Sequence, residues 1–117
     1  MRLNGLLRDI HEAERRFWFI QQIQEIDETD DAVKARLQIQ VGLFVQVFFS
    51  EQSGRFSLAL IQGNQRIYGR DREFGTWHLH PYESPEHHDP VPEGMSPQPL
   101  FQFLAEVEQI IIENELI

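Results

Sequence analysis

Residues 33–41 read VKARLQIQV, with Val33, Ala35, Leu37, Ile39 and Val41 alternating strictly with Lys34, Arg36, Gln38 and Gln40. A strand turns successive side chains to opposite faces, so this pattern describes a strand with one buried and one solvated face. Gly42 interrupts it, and the FVQVFFS run of residues 44–50 returns at the same period. A connection this short closes an antiparallel hairpin, because a parallel pair needs a crossover of roughly a dozen residues or more. The hairpin commits the chain to an antiparallel arrangement with an inner and an outer face.

The same reading continues along the chain. Glu51-Gln52-Ser53-Gly54 has the composition of a turn, and residues 55–61 (RFSLALI) form the next strand. Gly63-Asn64 makes another turn, followed by strands at 66–70 and 75–81. Upstream, Leu3, Leu6, Leu7, Ile10 and Ala13 recur at helical spacing, giving an amphipathic helix over residues 3–16. Residues 17–27 place Phe17, Ile20, Ile23 and Ile26 three apart, but their aromatic and β-branched content favours a strand, with an acidic turn at 28–31.

All six prolines fall within residues 81–99, which reads as an irregular loop. Ser96-Pro97 looks like an N-cap with proline at the first helical position. Leu100, Phe103, Leu104, Val107, Ile110 and Ile111 then form a helical stripe, widened by Phe101, Ala105 and Ile112. The expected architecture is α+β: a curved antiparallel meander of five or six strands, with the N- and C-terminal helices packed on one face. Gln38, Gln40, Gln46 and the arginines would occupy the other face. No repeat or linker divides the chain, so residues 1–117 read as one domain.

Composition removes several kinds of chemistry. The absence of cysteine excludes disulfides, thiolate zinc sites and cysteine nucleophiles. The glycine-rich phosphate loops and the Gly-x-Ser-x-Gly elbow are also missing. The start, MRLNGLLRDIHEAERR, carries charge where a signal peptide is apolar, and no apolar run approaches about 20 residues, so a cytoplasmic protein without a membrane partner is expected. A net charge of −9 opposes non-specific nucleic-acid binding. Residues 53–80 run against that trend, with Arg55, Arg66, Arg70 and Arg72 facing only Asp71 and Glu73.

Four of the five histidines lie close to that stretch, in His78-Leu79-His80 and His87-His88. On a strand, His78 and His80 share a face about 7 Å apart. They could hold a divalent metal with a third ligand from Asp71, Glu83, Glu86, His87, His88 or Asp89. They could equally divide acid and base roles while Arg66, Arg70 and Arg72 hold a phosphate, which would need no cofactor. Trp77 and Tyr82 flank the pair and could stack on a base. Each reading has a plainer counterpart: exposed imidazoles, arginines solvating a sheet, and a tryptophan covering the core.

Several of these pieces occur together in one known order. Residues 34–50 with Gly42, Ser53-Gly54-Arg55-Phe56, Ile67-Tyr68-Gly69-Arg70-Asp71, Trp77-His78-Leu79-His80-Pro81 and Pro85-Glu86-His87-His88 resemble the TumE-like toxins of bacterial and archaeal two-gene toxin–antitoxin modules. The resemblance covers about the last 85 residues and is that of a divergent member. The family's Pro-His-His follows closely on its aspartate, whereas here an insert separates Asp71 from His78 and the doubled histidine follows Glu86. It implies a toxin acting on RNA or translation, silenced by a helix-turn-helix antitoxin, with Asp71, His78, His80, His87 and His88 as site residues. Two other readings stay open beside it. One is a non-catalytic module that forms a homodimer or binds a partner through Ile110-Ile111-Ile112 and Leu116-Ile117; the other is a small metal-dependent hydrolase.

Overall fold

A computed structural model describes residues 2–117. Helix α1 (Leu3–Arg16) leads into β1 (Gln22–Glu28), β2 (Ala32–Gln40), β3 (Leu43–Ser50) and β4 (Phe56–Gln62). The chain continues with β5 (Gln65–Glu73), β6 (Thr76–His80), β7 (Asp89–Val91) and the closing helix α2 (Pro99–Glu113). The seven strands described form one sheet in sequence order, each antiparallel to its neighbours. This is the expected α+β meander with a helix at each end.

Register gives the sheet its two faces. Leu37, Val45, Leu60 and Tyr68 stand opposite one another in successive strands, and all are buried. With Val33, Leu58, Phe56 and their neighbours they make the inner face, onto which both helices pack. Helix α1 contributes Leu3, Leu6, Ile10 and Ala13 from one side of its cylinder. Helix α2 contributes Leu100, Phe103, Leu104, Val107 and Ile111, and the Phe103 ring stacks on Tyr68 at 5.5 Å. Burying an aliphatic or aromatic side chain is worth about 1.5–3 kcal/mol, so this face carries most of the stability.

Four boundaries differ from expectation. The strand read at 17–27 begins only at Gln22, because the Phe17 N–H closes α1 on the Ala13 carbonyl and Phe19 and Ile20 turn into the core. Strand β5 runs on to Glu73, because the hairpin closes at Phe74-Gly75. A short seventh strand emerges from the proline-rich segment; Pro90 lacks an N–H but sits on an edge, where that loss is tolerated. Helix α2 begins at Pro99 with Gln98 as N-cap, while the Ser96 hydroxyl accepts from the Gln98 N–H one turn earlier. At its far end Ile111 is buried and Ile110 and Leu116 pack on the core, which leaves Ile112 and Ile117 exposed.

Candidate metal centre

The β5–β6 pairing sets Asp71 opposite His78 and Gly69 opposite His80. Their β4 partners are Ser57 and Ala59, which alternate with the inward-facing Phe56, Leu58 and Leu60. The two histidines and the aspartate therefore share the outer face. The segment 81–88 folds back over them. Its His88 ring lies against both strand imidazoles, 4.1 Å from His78 and 4.8 Å from His80, tilted by 29° and 21°. Gly69, opposite His80, lies under the Arg66 side chain: a Cβ there would meet Arg66 Cδ at 3.0 Å and the Leu58 carbonyl oxygen at 3.1 Å.

His80 is only 6% exposed, and both of its ring nitrogens are engaged. Nδ1 lies 3.0 Å from the Pro85 carbonyl oxygen and Nε2 lies 2.9 Å from Asp71 Oδ2. A carbonyl and a carboxylate are both acceptors, so the ring is held between two oxygens. The His80 ring thus bridges the Asp71 carboxylate and the Pro85 carbonyl. It pins the loop to the sheet and fixes the plane of the carboxylate.

The other carboxylate oxygen, Asp71 Oδ1, lies 3.4 Å from His88 Nε2. His78 Nδ1 is buried with no hydrogen-bond partner among the described residues. Asp71, His78 and His88 each offer one ligand atom, all within 4.8 Å of one another. Ligands placed 2.0–2.1 Å from a tetrahedral ion lie about 3.4 Å apart. The Asp71–His88 pair already has that spacing, and the exposed His88 would have to shift towards His78 for the third contact to close. A buried polar atom left unpaired costs about 1–3 kcal/mol, and coordination would remove that cost at His78. His80 would then donate to the ligating carboxylate from behind, the arrangement that orients ligands in many metal sites.

The remaining candidates sort by strand alternation. Arg70 points inward, where its Nε and one terminal nitrogen donate to Glu106 at 2.8 and 3.1 Å. Tyr68 also donates to Glu106, at 2.7 Å. Burial and the Glu106 carboxylate push the Tyr68 phenol well above its ordinary value. For Arg70, desolvation works against the charge but is outweighed by Glu106, and the net shift is upward. Arg70 is therefore committed to α2 on the far side of the sheet from the histidines and does not serve them as a phosphate holder. Arg72, opposite Phe56, follows the same face.

Trp77 is also inward and buried, 5.5 Å from the Phe56 ring, so it covers the core and offers no surface to a base. Tyr82 is half-buried against the core. His87 is exposed; its N–H bonds to the Ser84 carbonyl and its ring lies outside the ligand group, as do Glu83, Glu86 and Asp89. Arg66, opposite Ile61, is an exposed outer-face cation with no salt bridge among the described residues. Sequence reasoning joined His78 and His80 as a ligand pair and left the third ligand open; the ligand group instead takes His78 with Asp71 and His88, and His80 lies outside it. The deciding signal was the two-residue turn at Phe74-Gly75: counting outward from it pairs Glu73 with Thr76, Arg72 with Trp77 and Asp71 with His78.

No protein-family model matches this chain, and neither the curated proteins nor the solved structures contain a match. Among the described residues, no helix is long and apolar enough to cross a membrane.

Proposed function

We propose that this protein is a small divalent-metal-dependent hydrolase of phosphate esters, with Asp71, His78 and His88 as the metal ligands. The observation that carries this reading is the meeting of Asp71, His78 and His88, whose ligand atoms lie within 4.8 Å of one another, with a buried ring nitrogen of His78 unpartnered among the described residues. Two nitrogens and one oxygen suit zinc, manganese or iron, and three protein ligands leave a position free for water or substrate. An ion bound there would supply a Lewis acid and acidify a water molecule. His78 is held by the β5–β6 ladder, His80 holds Asp71, and Arg66 supplies positive charge on the same face.

Calorimetric titration of chelator-treated protein with zinc and with manganese tests the binding, and bis(p-nitrophenyl) phosphate tests the turnover. The expected result is one ion per chain, with binding and turnover both lost in His78→Ala. Absence of a binding heat with either metal would overturn the proposal.

Asp71, His78, His80 and His88 come together, and these are four of the five residues that the resemblance to TumE-like toxins marks. That convergence favours a second reading, in which the same site arrests growth in the cytoplasm by acting on RNA and is restrained by a helix-turn-helix antitoxin. Tight induction in a plain bacterial host, beside the His78→Ala/His80→Ala double variant, tests it. Arrest by the wild type with rescue by the double variant supports a toxin. Normal growth with both, at equal soluble expression, counts against it.

A further inference from the structure

A single transverse row crosses the outer face of the sheet. Lys34 on β2 stands opposite Phe48 on β3, Phe48 opposite Ser57 on β4, and Ser57 opposite Asp71 on β5, which itself faces His78. With strands about 4.8 Å apart, Phe48 lies about 10 Å and Lys34 about 14 Å from Asp71 along this row. Beside the row runs a groove of about 310 Å³ lined by Lys34, Gln46, Phe48, Arg55 and Ser57. It thus offers two cations, one aromatic ring and two neutral polar side chains, and no carboxylate lines it.

The surroundings sharpen the contrast. The chain carries a net charge of −9, and acids border the groove: Asp71 opposite Ser57, Asp27 opposite Lys34, Glu25 opposite Arg36, and Glu73 3.5 Å from Arg55. The Phe44 ring is capped by the Arg36 guanidinium at 4.1 Å, whereas Arg55 stands 5.8 Å from Phe48, so charge and ring border the same groove. A planar aromatic group is favoured by a ring with polar groups beside it, and an anion by paired cations. An anion at Lys34 and Arg55, a ring over Phe48 and an ester at Asp71–His78 describe one molecule in which a sugar bearing two phosphates also carries a planar base.

We propose that the groove binds a nucleotide of the nucleoside bisphosphate class, its base on Phe48 and one phosphate on Lys34 and Arg55. The assignment of its second phosphate to Asp71, His78 and His88 rests on the metal-centre reading above. Gln46 and Ser57 are placed to hydrogen-bond the sugar or the base edge.

The test uses adenosine 3′,5′-bisphosphate as the probe, with calorimetry on metal-free and zinc-loaded protein. Adenosine and ribose 5-phosphate serve as comparison ligands. The bisphosphate is expected to bind each form, and about tenfold more tightly than either comparison ligand. Lys34→Ala and Phe48→Ala should each weaken it about tenfold, and Phe48→Leu, which keeps the packing volume, should do the same. Equal affinity for adenosine, or undiminished affinity in folded Phe48→Leu and Lys34→Ala, would overturn the proposal. Zinc binding is measured without nucleotide. Zinc bound but bisphosphate refused removes the groove alone; bisphosphate bound without zinc keeps the groove and removes the metal.

Discussion

His80 Nε2 and Asp71 Oδ2 meet at 2.9 Å across the β5–β6 hairpin, while the opposite ring nitrogen of His80 reaches the Pro85 carbonyl oxygen at 3.0 Å. One buried ring therefore joins a strand, its neighbour and the returning loop. His80→Ala should leave the Asp71 carboxylate and the Pro85 carbonyl without the ring that bridges them, costing about 2–4 kcal/mol of stability. Urea denaturation measures that loss, and hydrogen exchange should quicken across residues 81–88. Metal affinity should fall roughly 10–100-fold, as it does when the group orienting a ligand is removed. Unchanged stability together with unchanged affinity would show that the ring joins nothing that matters.

Metal should also stabilise the fold. With free zinc at about 100 times its dissociation constant, unfolding free energy should rise by about 2.7 kcal/mol. The gain should vanish in His78→Ala and in Asp71→Asn, while Arg72→Ala, on the inner face, should retain it. Thermal melts with and without zinc read this directly.

The inner face carries its own buried polar group, in which Glu106 accepts from Tyr68 and from two nitrogens of Arg70. Glu106→Ala leaves a mostly buried guanidinium unpaired and should cost about 2–4 kcal/mol; Tyr68→Phe should cost about 1 kcal/mol.

A pH dependence follows from the same group. Burial and Glu106 raise the Tyr68 phenol in the folded chain. Below about pH 10, where an unfolded tyrosine is protonated, its contribution is complete. At higher pH the unfolded chain releases a proton that the folded chain keeps, so stability should fall as pH rises past that value. The fall should be shallower in Tyr68→Phe.

Phe74 and Gly75 both have positive φ, 52° and 78°, in the turn between β5 and β6, and Phe74 is 99% exposed. A phenylalanine in that region is strained, whereas asparagine accepts it readily. Phe74→Asn should stabilise the fold by roughly 0.5–1 kcal/mol in denaturant titrations, with no effect on metal affinity.

Much of the fold was legible because its signals are local. The alternation at Val33–Ile39 and the stripe from Leu3 to Ala13 each declare one buried side, and Gly42 marks the turn between strands, where Val41 continues the period but is exposed. The seventh strand was not legible, since Asp89-Pro90-Val91 has neither length nor alternation and pairs only because β6 offers an open edge. Within the site, the shared face of His78 and His80 could be read from period two alone. Their different tasks could not, because these depend on where a proline-rich loop places Pro85 and His88. Arg70 misled for a related reason: its charge is visible in sequence, but its partner Glu106 is 36 residues away on a helix.

The sheet has another consequence, for the order in which the molecule can come together. Each strand bonds only to the strand before and after it, so the ladder can zip from hairpin to hairpin without distant segments having to find each other. Asp71 and His88 are 17 residues apart, and all three candidate ligands lie within one hairpin and the loop that follows it. A chain emerging from the ribosome could therefore close this candidate metal site before α2 is made. An ion captured at that stage would act as a fastener on an unfinished sheet, rewarding the correct β5–β6 register while the inner face still waited for its second helix.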